Sequence, residues 1–319
     1  MDVIGIGALN IDLFYEVPSL TLAGRTFEPG SETMDDGTLF AQVSNELAAA
    51  KLLARSGGGS AANTMVALDR MGYTTGFLGV TGKDDDSRFL LDSMGGVDVS
   101  RVKRYRKPGM CISMLSRGER SLLALPNSND LFSFAPEDLE YLGSARAVHL
   151  SSFSSDSALL MQKQILDLLD DEVLISFAPG EKYARRGMEQ IGDVIGLSRI
   201  VFVNRRETAL LTGLPPVEGC QALLDAGAKV AVCTLGDSGS VIVTRNSEIR
   251  VPAKKAVVVD TTGAGDVYAA GFLAGYLDGA TLEVCGEIGA AAAALSISAY
   301  GRGNYPDERF LRKYARELD

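Results

Sequence analysis

Short runs of Val, Ile and Leu with no alternating polar face recur along the chain, at 3–7 (VIGIG), 77–80, 147–150, 173–177, 200–203, 230–234 and 241–244. Between them lie stretches of helical period at 61–71, 88–94, 158–169, 205–212 and 221–226. Strands that are apolar on both faces and alternate with amphipathic helices call for a mainly parallel sheet covered on both sides. The run VVVD, ending at Asp260, reads as a further strand. Beyond it, Ala- and Gly-rich helices are expected at 264–277 and 282–299, with a last amphipathic helix after Pro306. The expected fold class is α/β: a doubly wound, mainly parallel sheet with helices on both faces.

Two stretches break that rhythm. Residues 14–40 read as extended chain with Pro18, Pro29 and several glycines, while 102–125 alternate in β fashion (MCISML, then SLLAL) around a turn at Arg117 and Gly118. Together they predict a small β-sheet lid, formed by roughly 14–40 and 102–125, on a single domain spanning 1–319. No internal repeat or long linker argues for a second domain.

Composition narrows the partners. With 31 Lys and Arg against 41 Asp and Glu, the net charge is −10. Nucleic acid is therefore not an expected partner, because phosphate backbones need a basic face. The four cysteines (Cys111, Cys220, Cys233, Cys285) are scattered without a C-x-x-C pair, and Met1-Asp2 leads straight into a strand-like run. That pattern predicts reduced thiols, no leader and a cytoplasmic setting. The longest apolar stretch, 288–297, is too short to span a bilayer, so no membrane partner is expected.

The strongest chemical signal is DTTGAGD, 260–266, which follows a β-run and opens a helix. Gly263 and Gly265 let the backbone turn tightly, and the free N–H groups around Gly263, Ala264 and Gly265 point at an anion with the helix dipole behind them. Asp266, in the same turn, is placed to take a proton from a hydroxyl attacking a γ-phosphate. The run also reads as a glycine-rich helix start with Asp as a cap. A second signal, GGGSAAN at 57–63, brings Gly58, Gly59 and Asn63 to another helix start, where they suit a small polar ligand; a flexible loop with Ser60 as N-cap is the alternative. The opening GIGALNID lacks the third glycine of a dinucleotide fingerprint. It reads instead as a strand whose C-terminal end presents Asn10 and Asp12, a pair suited to sugar hydroxyls or simply to a turn. Asn204 and Glu207, flanking a first helical turn, suit Mg²⁺ held through water, although Asn is also a good N-cap.

Other matches fail. Gly82-Lys83-Asp84 lacks the Walker A context, and GDSGS at 236–240 lacks a partner imidazole, since the one histidine, His149, falls within a predicted strand. The basic run Arg101, Lys103, Arg104, Arg106 and Lys107 reads as a solvated strand face, or as a patch that meets a phosphate near the lid.

DTTGAGDVYAAGFLAG (260–275) resembles the C-terminal signature of the ribokinase-like (PfkB) carbohydrate and nucleoside kinases, and GGGSAANTMVALDRMG (57–72) is similar to their N-terminal one. The order of motifs, the N-x-x-E at 204–207 and TLGDSG at 234–239 agree. The resemblance implies the ribokinase-like fold and a kinase that transfers the γ-phosphate of ATP, with Mg²⁺, to a hydroxyl of a sugar or nucleoside. In it Asp266 is the base and Gly263–Gly265 form the anion hole, while Asn10, Asp12, Gly58, Gly59 and Asn63 hold the acceptor. Asn204, Thr234, Gly236 and Gly239 would line the nucleotide, and Asn204 and Glu207 organise Mg²⁺. Asp260 would shape a monovalent-cation site for K⁺. The lid of such proteins closes the acceptor pocket and often forms a homodimer. Ser60 stands where ribokinase has Lys, and a helix-like insertion at 44–54 lengthens the lid. Both features widen the acceptor beyond ribose, to nucleosides, ribose 1-phosphate, fructose phosphate or inositol, with ADP as a further possible donor. A binding regulator that has lost its chemistry is the non-enzymatic alternative. On an acceptor phosphate, Arg55 or the 101–107 run would close; on a nucleoside base, Phe14, Met110, Ile112 and Met114 would pack.

Overall fold

The computed structural model describes residues 1–315; residues 316–319, included in the expected domain, lie outside the described residues. An eight-stranded sheet takes the order Glu248–Val251, Ser240–Val243, Val230–Thr234, Ile200–Asn204, Leu174–Ala178, Ala147–Ser151, Val3–Ile6, Thr75–Leu78. All its pairs are parallel except the two at the Glu248–Val251 edge. The Val and Ile runs are buried on both faces, one face packing with Ile4, Val148, Phe177 and Val201, the other with Val3, Phe77, Val232 and Phe272. This is the doubly wound α/β sheet that the sequence pattern predicts. Val3–Ile6 lies between Thr75–Leu78, which follows it in the chain, and Ala147–Ser151, from which the sheet is then built outward in the other direction, so the winding reverses at this strand.

Several local expectations need correcting. The run at 257–260 is not a strand: its valines lie exposed, and its backbone N–H groups at Val259 and Asp260 both donate to Ile297 O rather than to a neighbouring strand. Asn10 and Asp12 do not end the first strand but begin a second one, Asn10–Glu16, in a separate sheet. That five-stranded sheet has the order Glu32–Met34, Glu119–Leu125, Gly109–Ser116, Asn10–Glu16, Lys51–Gly58. Its hairpin turns at Arg117 and Gly118, both in left-handed conformation (φ 52° and 83°), the geometry that suits a two-residue hairpin loop.

The helix-like insertion at 44–54 proves to be helix Thr38–Ala49, followed by strand Lys51–Gly58. Leu39, Val43 and Leu47 of that helix bury against Ile112, Met114, Leu123 and Leu125 on the outer face of the small sheet. The apolar outer face of the small sheet is thus covered by the chain's own helix. Helices Pro136–Gly143, Gly180–Ala184 and Gly187–Leu197 were not foreseen, being short or interrupted by glycine.

Candidate active site

Helix Ala264–Leu277 begins at Gly263, whose φ of 76° only glycine adopts at little cost. Ala264 N–H closes the turn onto Thr261 O at 3.2 Å, which spends one amide of the expected anion hole. The amides of Gly265 and Asp266 have no carbonyl one turn earlier in the helix. A Cβ on Gly265 would meet nothing within 4 Å, so this residue faces open space. That space is a cleft of about 800 Å³ lined by Asn204, Thr234, Gly236, Gly239, Ala264 and Gly265, with Tyr268, Ala293 and Ile297 as apolar wall. Every residue expected to line the nucleotide meets in this one cleft.

Asp266 points away from the cleft, toward the second motif. Ser60 Oγ donates to its Oδ1 at 2.6 Å, and Asn63 Nδ2 donates to its Oδ2 at 2.9 Å. Gly59 (φ 102°), not Ser60, is the N-cap of helix Ser60–Arg70, and a Cβ there would collide with Ala8 O. Freed from capping, Ser60 turns its hydroxyl to Asp266. Asn63 is held at both ends of its amide, because its Oδ1 accepts Arg302 Nε at 3.0 Å. Arg302, 5% exposed, also donates to Ser93 O and Oγ (3.2 Å each) and to Gly58 O (3.4 Å). Desolvation pushes the Asp266 carboxyl up to about 6, opposed by the Ser60 and Asn63 hydrogen bonds and by the Arg302 charge.

Asp12 lies against Gly58, where a Cβ would fall 2.1 Å from its Oδ2. Burial drives Asp12 to about 7; Arg302 opposes this, while Asp260, Asp266 and Glu32 add to it. Asn10 Oδ1 accepts Asn129 Nδ2 at 2.9 Å, and Asn129 also exchanges hydrogen bonds with the backbone of Leu9. Register puts Met34, Ala124, Cys111, Asp12 and Ser56 in one row across the small sheet, on the face that meets Asp266, and Glu32, Leu122, Ser113, Phe14 and Ala54 in the next. Met110, Ile112 and Met114 alternate to the opposite face, and Phe14 is buried against the Tyr300 ring at 5.5 Å. None of the four apolar groups expected to meet a base is free on the inner face.

A second cleft, about 1030 Å³, separates the small sheet from the loop carrying Asp260 and Thr261. Asp260 Oδ1 accepts Thr262 N and Oγ1 (3.0 and 2.7 Å) and Arg120 Nη1 (3.3 Å), and Arg120 also bonds Thr262 Oγ1. Asp260 Oδ2 is buried without a hydrogen-bond partner. Asn204 and Glu207 form a reciprocal capping box: Glu207 N to Asn204 Oδ1 at 2.9 Å, and Asn204 N and Nδ2 to the Glu207 carboxylate at 2.9 and 2.8 Å. Burial, with the charges of Asp266 and Glu181, raises Glu207 to about 7 against the Asn204 hydrogen bonds. Among the described residues no group of three or more His, Cys, Asp or Glu side chains comes together as a metal site.

Of the basic residues considered for an acceptor phosphate, Arg55, Arg101 and Lys103 are engaged elsewhere, while Arg104, Arg106 and Lys107 are exposed. Arg55 pairs with Asp86 at 2.5 Å and lies over the Phe89 ring, while Arg101 and Lys103 pair with Asp138 at 2.9 and 3.2 Å. His149 sits in the sheet, its Nδ1 2.6 Å from Ser176 Oγ, and burial lowers it to about 3. Ser60, Arg120, Asn129 and Arg302 join the site although the motifs did not single them out. Only Ser60, inside GGGSAAN, carried a local signal.

Residues 32–308 match the family described as pfkB family carbohydrate kinase. The chain belongs to that family. A sugar kinase of Archaeoglobus fulgidus, described as uncharacterized, is 32% identical over 73% of this chain and 95% of its own. Among solved structures, adenosine kinase from Sinorhizobium meliloti superposes with a TM-score of 0.86 at 23% identity, covering 100% of this chain and 99% of that one. Arabidopsis thaliana ribokinase, solved with ribose and ATP, gives 0.79 at 23% identity over 98% of each chain. These two structures establish the ribokinase-like fold. As a pfkB-family member the protein is a sugar or nucleoside kinase, a phosphotransferase with an alcohol group as acceptor.

Proposed function

We propose that this pfkB-family kinase transfers the γ-phosphate of ATP to a hydroxyl of a sugar or nucleoside, with Asp266 as the general base. The observation that carries the reading is the position of Asp266. It opens the helix whose first turn borders the cleft lined by Asn204, Thr234, Gly236 and Gly239, and its carboxylate turns toward Asp12 and the small sheet. Ser60 and Asn63 each donate to one Asp266 oxygen, and each oxygen keeps a lone pair for the acceptor proton. As the acceptor oxygen bonds to the γ-phosphorus, its proton passes to Asp266 and the bond to the β-phosphate oxygen breaks, releasing ADP. The amides around Gly263 and Gly265 meet the charge that develops on the transferring group. Asp12 and Asn10 hold the acceptor hydroxyls, and the small sheet acts as a lid that excludes water.

The residues present fit a divalent cation at the cleft edge. Glu207 sits in the negative field of Asp266 and Glu181, which a cation relieves, so Asn204 and Glu207 would hold Mg²⁺ through water. When bound, it neutralises charge on the β- and γ-phosphates. The unpartnered Asp260 Oδ2 likewise suits K⁺.

The test is phosphoryl transfer, with ATP and separately ADP, to nucleosides, free sugars, inositol and sugar phosphates. Asp266→Asn should bind ATP as the parent does and lose roughly 10²–10⁴-fold in kcat. Retention of more than about a tenth of kcat would remove Asp266 from the role of base.

A further inference from the structure

Helix Ser60–Arg70 presents the hydroxyl that bonds Asp266, yet it begins without a cap of its own. Its N-cap is Gly59, which has no side chain, and the collision with Ala8 O keeps out any residue with a Cβ. The Ser60 hydroxyl, next in line, is committed to Asp266 Oδ1. The missing acceptor comes from another part of the fold. Ser151 Oγ, at the C-terminal end of strand Ala147–Ser151, accepts the Ala61 N–H at 3.1 Å, the bond that an N-cap side chain otherwise makes. Ser151 is 1% exposed, and its hydroxyl lies against Gly7, where a Cβ would fall 2.2 Å from Oγ. Its carbonyl accepts Gln162 Nε2 at 2.8 Å, and Gln162 Oε1 accepts the Tyr183 hydroxyl at 2.9 Å. Gln162 and Tyr183 are as deeply buried, in helices Asp156–Leu168 and Gly180–Ala184. One turn into the capped helix, Thr64 Oγ1 lies 3.2 Å from both Ser60 O and Asp266 O, so the two helix starts are docked against each other.

We propose that Ser151 is a positioning residue of the phosphotransfer site: it caps helix Ser60–Arg70 from outside and so holds the Ser60 hydroxyl on Asp266, with Gln162 and Tyr183 fixing Ser151 in turn. The first N–H groups of a helix have no partners within it, so an uncapped first turn frays, and Ser60 stands in that turn. A hydrogen bond to a carboxylate depends steeply on distance and angle, so a small shift of the turn weakens Ser60–Asp266. The chain Tyr183–Gln162–Ser151–Ala61 is enclosed and has no link longer than 3.1 Å. Buried polar chains of this kind hold one geometry. Ser151 acts through Ser60, and the inference rests on the reading of Asp266 as the base.

The acid limb of kcat/KM reads that link. The Ser60 hydrogen bond holds the Asp266 pKa down, so loosening it moves the limb to higher pH. Ser60→Ala should raise the limb by about one pH unit and Ser151→Ala by about half a unit. In Ser151→Ala kcat should fall roughly tenfold while ATP affinity stays that of the parent. The double variant should match Ser60→Ala alone, because Ser151 then has no hydroxyl left to position. Shifts that add, or an unmoved limb in Ser151→Ala, overturn the inference, since a residue needed only for folding does not act through Ser60. If Ser151→Ala does not fold, Tyr183→Phe takes its place. It removes one hydroxyl at the far end of the chain without emptying the site, and should raise the limb by about 0.3 unit in the parent background and not at all in Ser60→Ala. No shift in the parent background overturns the inference. Hydrogen exchange gives a readout without turnover: the Ala61 amide should exchange about tenfold faster in Ser151→Ala, and unchanged protection would remove the cap. Asp266→Asn separates the two readings. If it stays active, the base assignment falls and the positioning role with it. If it is inactive while the limb of Ser151→Ala stays in place, the base stands and the inference falls.

Discussion

On the proposed reading Asp266 works only after losing its proton, so activity should rise with pH through about 6, the value to which desolvation lifts this carboxyl. Arg302 is the one cation that lowers it, through its charge. The guanidinium also fixes the Asn63 amide so that Nδ2, not Oδ1, faces Asp266. Removing that charge should therefore raise the Asp266 pKa and move the acid limb of kcat/KM upward, by about one pH unit in Arg302→Met. Arg302→Lys, which keeps the charge, should hold the limb near the parent's while losing part of kcat through a looser Asn63. A pH–rate profile separates the possibilities. An Arg302→Met protein that is less stable but has an unmoved limb would make Arg302 a structural residue only. Neither Arg302 nor Asn129 was legible in the sequence. Arg302 meets Asn63 across 239 positions and Asn129 meets Asn10 across 119; Arg302 stands in a turn and Asn129 in the single 3₁₀ turn Asn127–Leu131, too short for a period to mark an inward side chain. By contrast Asn204, Thr234, Gly236 and Gly265 stand at strand ends or helix starts, where a parallel sheet gathers its ligand groups on one side.

At the level of elements, the clearest failure of local reading is the segment 40–55. FAQVSNELAAAKLLAR is good helix sequence throughout, yet the helix stops at Ala49, and Lys51–Gly58 pairs with Asn10–Glu16. Pairing along that strand overrides propensities worth only a few tenths of a kcal/mol per residue. The helix that remains is held by three apolar residues on the outer lid face, of which Val43 and Leu47 are almost wholly enclosed. Leu47→Ala should cost about 2–5 kcal/mol if the lid unfolds with the rest of the chain. Urea denaturation with a fluorescence and a far-ultraviolet probe measures it. A loss below about 1 kcal/mol with coincident transitions would mean that the lid contributes little to the cooperative unit. Earlier loss of one probe would mean that the helix and its sheet open as a separate unit.

Across the whole molecule, the small sheet is joined to the large one along one edge and bridged to it along the other. At the joined edge the chain passes from Val3–Ile6 through Leu9, tied by Asn129, into Asn10–Glu16. At the far edge, Lys182 pairs with Glu32 at 3.0 Å, Arg206 Nη1 donates to Gly30 O at 3.2 Å, and Arg120 reaches Asp260. On the proposed reading, in which the small sheet closes over the acceptor, the junction at Leu9 serves as hinge and the polar bridges as latch, since such bridges break in water at small cost. Lys182 and Glu32 are each about a quarter exposed, so their pair should contribute no more than about 1 kcal/mol to closure. Lys182→Met should therefore speed acceptor dissociation by about two- to fivefold. Stopped-flow displacement of a bound acceptor reads this directly. Nucleotide affinity, set in the other cleft, should not change, and neither should the acid limb, because Lys182 is not among the groups that shift Asp266. Higher ionic strength should accelerate dissociation from the parent protein and do less to the variant, whose bridge is already gone. An unchanged dissociation rate in Lys182→Met would place the rate-limiting opening elsewhere, with the Arg120–Asp260 contact the next bridge to cut.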